Sequence, residues 1–352
     1  MRLRRRYIYP VSGGGGYSGN FTPPFSEVQA YMNGVIASNS GLTPTVSTIG
    51  AIGGTNQYYG HVLGTNGKIY GVPFSASTSI ELDPLTELYS TFGSAPGNTY
   101  AGGCLAKDGK LYYAPTDSTR VGQVDTSIPS LTSYGSTISG WGKFIGGVLA
   151  PNGYIYFLGD SYAYNVKFNP ATGTYINLAA KSRSAGGCLA ANGKIYCAPY
   201  TTGVVQVIDT ADDSMYTIGS VNTNIYTSPT IAANGKIYCV GYNTGNVIEI
   251  DPTTDTVTSY GSGVGKYFGS CLAPNGKIYA SPFGAGNILE FDPVTKAINT
   301  YGSGLGTYVS LHLAANGIMY ALPFGVNPIL KIDLSANPFD LDTCLTSYLN
   351  KF

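Results

Sequence analysis

Asn66-Gly67-Lys68-Ile69-Tyr70 returns with small variations seven times along the chain, on turn glycines Gly67, Gly109, Gly153, Gly193, Gly235, Gly276 and Gly317. The steps between these glycines are 42, 44, 40, 42, 41 and 41 residues. A second landmark keeps pace: Asp83, Asp125, Asn169, Asp209, Asp251, Asp292 and Asp333 each lie 16 residues after their glycine. A period of about 40–45 residues carrying four short β segments is that of a propeller blade. The 352-residue chain therefore reads as all-β, a seven-bladed β-propeller of four-stranded antiparallel blades over residues 45–335. A basic, Gly-rich arm (1–44) precedes it, and a tail (336–352) is expected to pack on the ring.

Each blade can be read strand by strand. Four residues before the turn glycine stands Leu63, Leu105, Leu149, Leu189, Ile231, Leu272 or Leu313, and a small residue follows it, as on an inner strand crowded against the axis. Asn-Gly or Asp-Gly is expected to supply the positive-φ residues of a tight hairpin. The second strand then carries Tyr70, Tyr112, Tyr156, Tyr196, Tyr238, Tyr279 and Tyr320 without exception. Buried between blades, such tyrosines need a hydrogen-bond partner for the hydroxyl, and backbone is the expected one. The Asp landmark closes the third strand as a turn residue whose carboxylate takes nearby N–H groups. Lys68, Lys110, Lys194, Lys236 and Lys277 are expected to pair with these aspartates. The outer strand is missing after Asp333, whereas Thr45-Val46-Ser47-Thr48-Ile49-Gly50 matches it, so the N-terminal segment is expected to close blade seven.

Composition narrows the function classes. Charged residues make up 11% and the net charge is +0, so no global field draws nucleic acid or membrane. No apolar run approaches the roughly 18 residues of a membrane span. The basic start lacks the apolar core of about 7–15 residues that marks a secretory leader. Six cysteines in a chain this long read as buried strand fillers with free thiols as the default, although a two-residue hairpin loop would set Cys188 opposite Cys197.

Two columns of aromatics are expected at one mouth of the ring. Nine residues before the glycine come Tyr58, Tyr100, Phe144, Ser184, Tyr226, Tyr267 and Tyr308; seven after it come Phe74, Thr116, Asp160, Tyr200, Tyr242, Phe283 and Phe324. Blade three departs most from the repeat. The candidate ligand-binding set is Trp141, Lys143, Asp160, Tyr162, Tyr164, Lys181 and Arg183, a sector of aromatic and charged side chains suited to a glycan or a partner loop. His61 and His312 fall on opposite faces of their strands, an arrangement read as unfit for a shared metal, and no catalytic or metal-ligating set is assigned. Arg2, Arg4, Arg5 and Arg6 form a candidate docking arm for an acidic socket or packaged nucleic acid. Ser26–Ala37 has the apolar spacing of a short helix, and Leu341–Phe352 that of a brief helix or strand.

The order GG-x-L-A, NG-x-I-Y, V-x-x-ID and TxYG resembles NHL and streptogramin-lyase-type propeller repeats over residues 45–333, and the tandem NGKIY…IDPTT looks like repeats of phage and large-virus structural proteins. The viral resemblance implies a virion-associated structural or binding protein. It would dock on other virion proteins through its arm and display the propeller toward a surface glycan or a protein, with no cofactor and no membrane contact. The lyase resemblance implies the alternative, a metal-assisted lyase or lactonase. That family uses histidine and carboxylates near the axis, whereas the inner strands here carry no Asp or Glu. An extracellular location is the alternative to the virion.

Overall fold

The computed structural model describes residues 25–335 apart from 55, 56, 96, 98, 181, 201, 223, 224, 244, 245 and 262–264. The side chains of Glu27 and Tyr31 are likewise outside the described set. Arg2, Arg4, Arg5, Arg6, Lys181 and the tail 336–352 lie outside the described residues.

Seven four-stranded antiparallel sheets form the ring. Blades one to six each take four strands in chain order, starting from inner strands Tyr58–Leu63, Tyr100–Leu105, Phe144–Leu149, Ser184–Leu189, Tyr226–Ile231 and Tyr267–Leu272. Blade seven is built from both ends of the ring sequence: His312–Leu313, Met319–Ala321 and Asn327–Asp333 are completed by Thr45–Ile52 on the outside. Thr45 pairs with Asp333 and Thr48 with Leu330, so the expected closing strand is in place.

Local chemistry explains the blade outline, with one correction. At the turns only the glycine takes a left-handed backbone, as at Gly193 (φ 78), while the asparagine before it does not. Ala190 N–H donates to Lys194 C=O and Gly193 N–H to Ala190 C=O, which makes a three-residue loop rather than the two-residue one expected. The extra residue shifts the register. Cys188 lies opposite Tyr196 and Cys197 opposite Gly187, so the two cysteines do not face one another.

The asparagine has a different task from the one assigned to it. Its Oδ1 accepts the N–H two residues on, and its Nδ2 donates to the hydroxyl of the tyrosine four residues on, as from Asn234 to Tyr238 at 2.9 Å. Asp108 makes the same pair reversed, accepting from Tyr112. These buried tyrosines then reach the next blade. Tyr196 and Asn192 both donate to Pro252 C=O, and Asn316 and Tyr320 of blade seven donate to Pro84 C=O of blade one. The Asp landmarks are Asx turns throughout, from Asp83 Oδ1 accepting Leu85 N–H to Asp333 Oδ1 accepting Ser335 N–H.

Two of the lysines after the turn glycine reach the expected aspartates, and shorter contacts go to other partners. Lys68, Lys236 and Lys277 pair with third-strand glutamates Glu81, Glu249 and Glu290 at 2.8, 2.7 and 2.8 Å. The aspartate contacts are longer, 3.3 Å for Lys236–Asp251 and 3.7 Å for Lys194–Asp209. Some pairs also bridge blades: Lys167–Asp213, Lys331–Glu87, and Lys296–Glu249 with the signs exchanged. Burial alone would push the Glu249 carboxyl up, but hydrogen bonds from Lys236, Lys296 and Tyr238 more than offset it and hold it below the usual range.

A helix, α1 (Phe25–Asn39), lies on the turn face across blades five and six. Phe25, Val28 and Met32 are buried, Gln29 Nε2 donates to Ala233 C=O, and Ile36 sits against Gly276. Asn275 Nδ2 donates instead to Leu42 C=O, three residues past the end of α1. The chain thus enters and leaves the ring on one face, opposite the mouth where the aromatics were expected.

Candidate functional site at the axial mouth

The two expected aromatic columns part company. Tyr58, Tyr100, Phe144, Tyr226, Tyr267 and Tyr308 are all buried, so this column packs between blades and does not line the mouth. Its shift inward has a backbone cause. Two residues on, Gly60, Gly102, Gly146, Gly186 and Gly269 hold left-handed φ values, and register shifts break the pairing of these strands there. The bulge turns the following side chains. The residue just before it, eight before the turn glycine, comes to the axis instead, and Tyr59 and Phe268 are the large members of that column.

The second column does reach the mouth. Phe74, Asp160, Tyr200, Tyr242, Phe283 and Phe324 are each half-buried. Tyr59 touches Phe74, Phe268 and Phe324 at ring-centroid distances of 5.4, 5.7 and 5.7 Å, and Phe283 lies 5.7 Å from Phe324. Tyr242 joins through Phe268 and Phe283 at 6.1 and 5.4 Å. Ile145 and Val309 complete this cluster. One half of the mouth is thus a continuous aromatic platform over blades five, six, seven and one. Burial pushes the Tyr59 phenol far up, and the charges of Tyr200, Asp160 and Tyr242 add to the shift.

The other half is polar. Arg183 Nε donates to Asp160 Oδ1 at 2.9 Å, and the guanidinium stacks on Tyr200 at 4.6 Å from the ring centroid. The guanidinium thus joins a carboxylate and an aromatic face at one point of the mouth.

The remaining members of the blade-three set take other positions. Trp141 is 82% exposed. Tyr162 packs on Phe144 at 5.3 Å and on Tyr164 at 6.0 Å, while Tyr164 is partly exposed at the blade edge. Lys143 is buried and offers no charge to the surface, since its Nζ donates to Gly140 C=O at 2.7 Å. Burial pulls its amine down, against the attraction of Asp117. Asp160, Arg183 and, through the loop backbone, Trp141 are brought together; Lys143 supports that loop from beneath. Tyr59, Tyr200 and Tyr242 complete the site. Tyr59 was missed because its column holds alanine in blades two and four and only twice an aromatic.

His61 and His312, expected on opposite faces of their strands, meet in the structure. Their rings touch, with centroids 4.5 Å apart, and both are buried at the seam of blades seven and one. Opposite faces of successive inner strands are the two sides of one interface, so the expected orientation brings them together. Thr230 and Ser270 meet in the same lattice positions between blades five and six at 2.8 Å. Burial, then the neighbouring His312, lowers the His61 imidazole well below its ordinary value. Among the described residues no group of three His, Cys, Asp or Glu is arranged to hold a metal.

No protein-family model and no curated protein matches this sequence. Solved structures do match its shape. A streptogramin B lyase superposes with a TM-score of 0.72 at 14% identity, covering 83% of this chain and 98% of that one. A catalytically inactive histidine-to-alanine variant of virginiamycin B lyase from Staphylococcus aureus, solved with quinupristin, gives 0.70 at 12%, covering 83% and 100%. The WD40 propeller domain of Doa1 gives 0.65 at 13%, covering 82% and 97%. At these identities the likeness shows the fold alone: a seven-bladed propeller, a scaffold shared by a lyase and a WD40 domain.

Proposed function

We propose that this chain is a recognition module that stacks a glycan at the axial mouth and is held in place through its opposite face. The observation that carries the reading is the mouth itself: half-buried Tyr200, Tyr242, Phe74, Phe283 and Phe324 beside the Asp160–Arg183 pair. Stacking on aromatic faces gives affinity, and the paired charges give direction to sugar hydroxyls. The basic arm leaves from α1 on the turn face, so docking there leaves the mouth free. A virion is the setting we infer for this arrangement, with other virion proteins as the arm's partners. The test is a glycan array probed with the full chain and with Tyr200→Ala, alongside solution masses with and without residues 1–24. Binding lost in the variant, with assembly lost on truncation, is the expected result. No glycan bound by the wild type would overturn the recognition reading.

The second reading, a metal-assisted lyase or lactonase, draws on the similarity to streptogramin lyases and on the axial His61–His312 pair. It requires a stoichiometric divalent metal that is lost on His61→Leu, which a metal assay on the same preparations decides.

A further inference from the structure

Trp141 is 82% exposed, and the backbone on both sides of it is held by hydrogen bonds to neighbouring loops. Gly140 (φ 122) and Gly142 (φ 56) flank Trp141 in left-handed conformations, which turn the chain sharply on both sides of the indole. Gly142 N–H donates to Asp117 Oδ1 at 2.7 Å, and Gly142 C=O accepts Ser161 N–H at 2.9 Å. Lys143 N–H donates to Thr116 C=O, and its C=O accepts Asp160 N–H at 2.8 Å. The last tie is the unusual one. The Lys143 side chain is 0% exposed and doubles back under the loop, so that its Nζ meets Gly140 C=O at 2.7 Å. A Cβ on Gly140 would lie 3.6 Å from Lys143 Cγ and 3.7 Å from Tyr162 Cδ2, so stem, loop and blade are in contact.

We infer that Lys143 is a positioning residue: a buried strut that closes residues 140–143 into a rigid ring and holds Trp141 out as a preorganised anchor of the ligand site. This deepens the recognition reading and rests on it for the ligand. Burying a lysine costs free energy, which its hydrogen bond to Gly140 C=O offsets in part. What the strut supplies is order at the indole before binding, which lowers the entropy lost when a ligand stacks there. The same backbone ties Asp160 to Lys143, so the anchor and the Asp160–Arg183 pair are held at one spacing.

Trp141 is the only tryptophan of the chain, so its fluorescence reports on this loop alone. Time-resolved anisotropy of the full chain is measured for wild type and Lys143→Met, with the unfolding midpoint of each. The fraction of anisotropy lost on the nanosecond timescale is expected to rise about twofold in the variant. Unchanged anisotropy in a folded Lys143→Met overturns the proposal. If that variant does not fold, Lys143→Leu, which carries no donor for Gly140 C=O, is read in the same way. Glycan affinity from the array is expected to fall about tenfold in Lys143→Met, as in Trp141→Ala. A wild type that binds no glycan sinks the recognition reading, whereas the anisotropy result decides the strut by itself.

Discussion

The turn face and the mouth face of this ring were built from the same repeat and obey different rules. On the turn face, an Asn or Asp, a glycine, a tyrosine and an Asx turn recur in every blade, and six of the seven latch onto the following blade, while blade six holds the segment after α1 instead. On the mouth face the repeat dissolves. Aromatics fill one half, a single Arg–Asp pair marks the other, and one loop carries a lone exposed tryptophan. The latch geometry is shared by six of the seven interfaces and tolerates little change, while a ligand site needs only one sector and profits from asymmetry. Stability should therefore reside in the periodic face and recognition in the aperiodic one.

Four experiments break or sharpen that contrast. The largest effect is expected for Tyr238→Ala, which empties a buried interblade position and should cost about 3–5 kcal/mol in denaturant unfolding. Tyr238→Phe keeps the packing but strips the hydroxyl from Glu249 and Asn234, and about 1–3 kcal/mol is expected. A Tyr238→Ala chain as stable as wild type would show that the latches do not carry the ring.

Acid should open the closing seam. The His61 imidazole is held below its ordinary value in the folded ring but takes up a proton freely once unfolded. The unfolded state therefore binds more protons below the ordinary imidazole value, and stability present above about pH 6.5 is lost as pH falls further. The expected slope is about 1.4 kcal/mol per pH unit for one proton, and His61→Leu should flatten it. An identical acid slope in both proteins would remove His61 as its source.

Lys331 and Glu87 bridge the same seam at 2.6 Å with both partly exposed. Lys331→Glu is expected to cost about 1 kcal/mol or more, and adding Glu87→Lys to recover part of it in a double-mutant cycle. Zero coupling would mean the bridge sets register without contributing stability. The smallest effect on stability, within about 1 kcal/mol, is expected for Tyr200→Ala, although its glycan signal should vanish. A large loss of stability there would put the mouth among the structural elements after all.

How much of this was legible depended on distance along the chain. The place of each turn, the Asx motif and the tyrosine column were readable because each is decided within a few residues by backbone preference and hydrogen bonding, whereas the loop length, and with it the register, was not. The strand closing blade seven was readable from the one motif out of its place. Partners across blades were not. Lysines were assigned to aspartates because the column Glu81, Gln123, Lys167, Val207, Glu249, Glu290 and Lys331 changes identity from blade to blade. Set beside Glu87, Asp213 and Lys296 of the following blades, that column does carry a signal: facing members have opposite charge.

The sequence alone determined that there are seven blades, where each one turns, and which strand seals the ring, because a repeat can bury its apolar faces only against copies of itself. Tertiary structure alone decided which side chains meet. A strand's two faces are equivalent in sequence, and only stacking around a closed axis makes His61 and His312 neighbours, sends one aromatic column into the interfaces, and gathers Tyr59, Asp160, Arg183 and Tyr200 at one mouth.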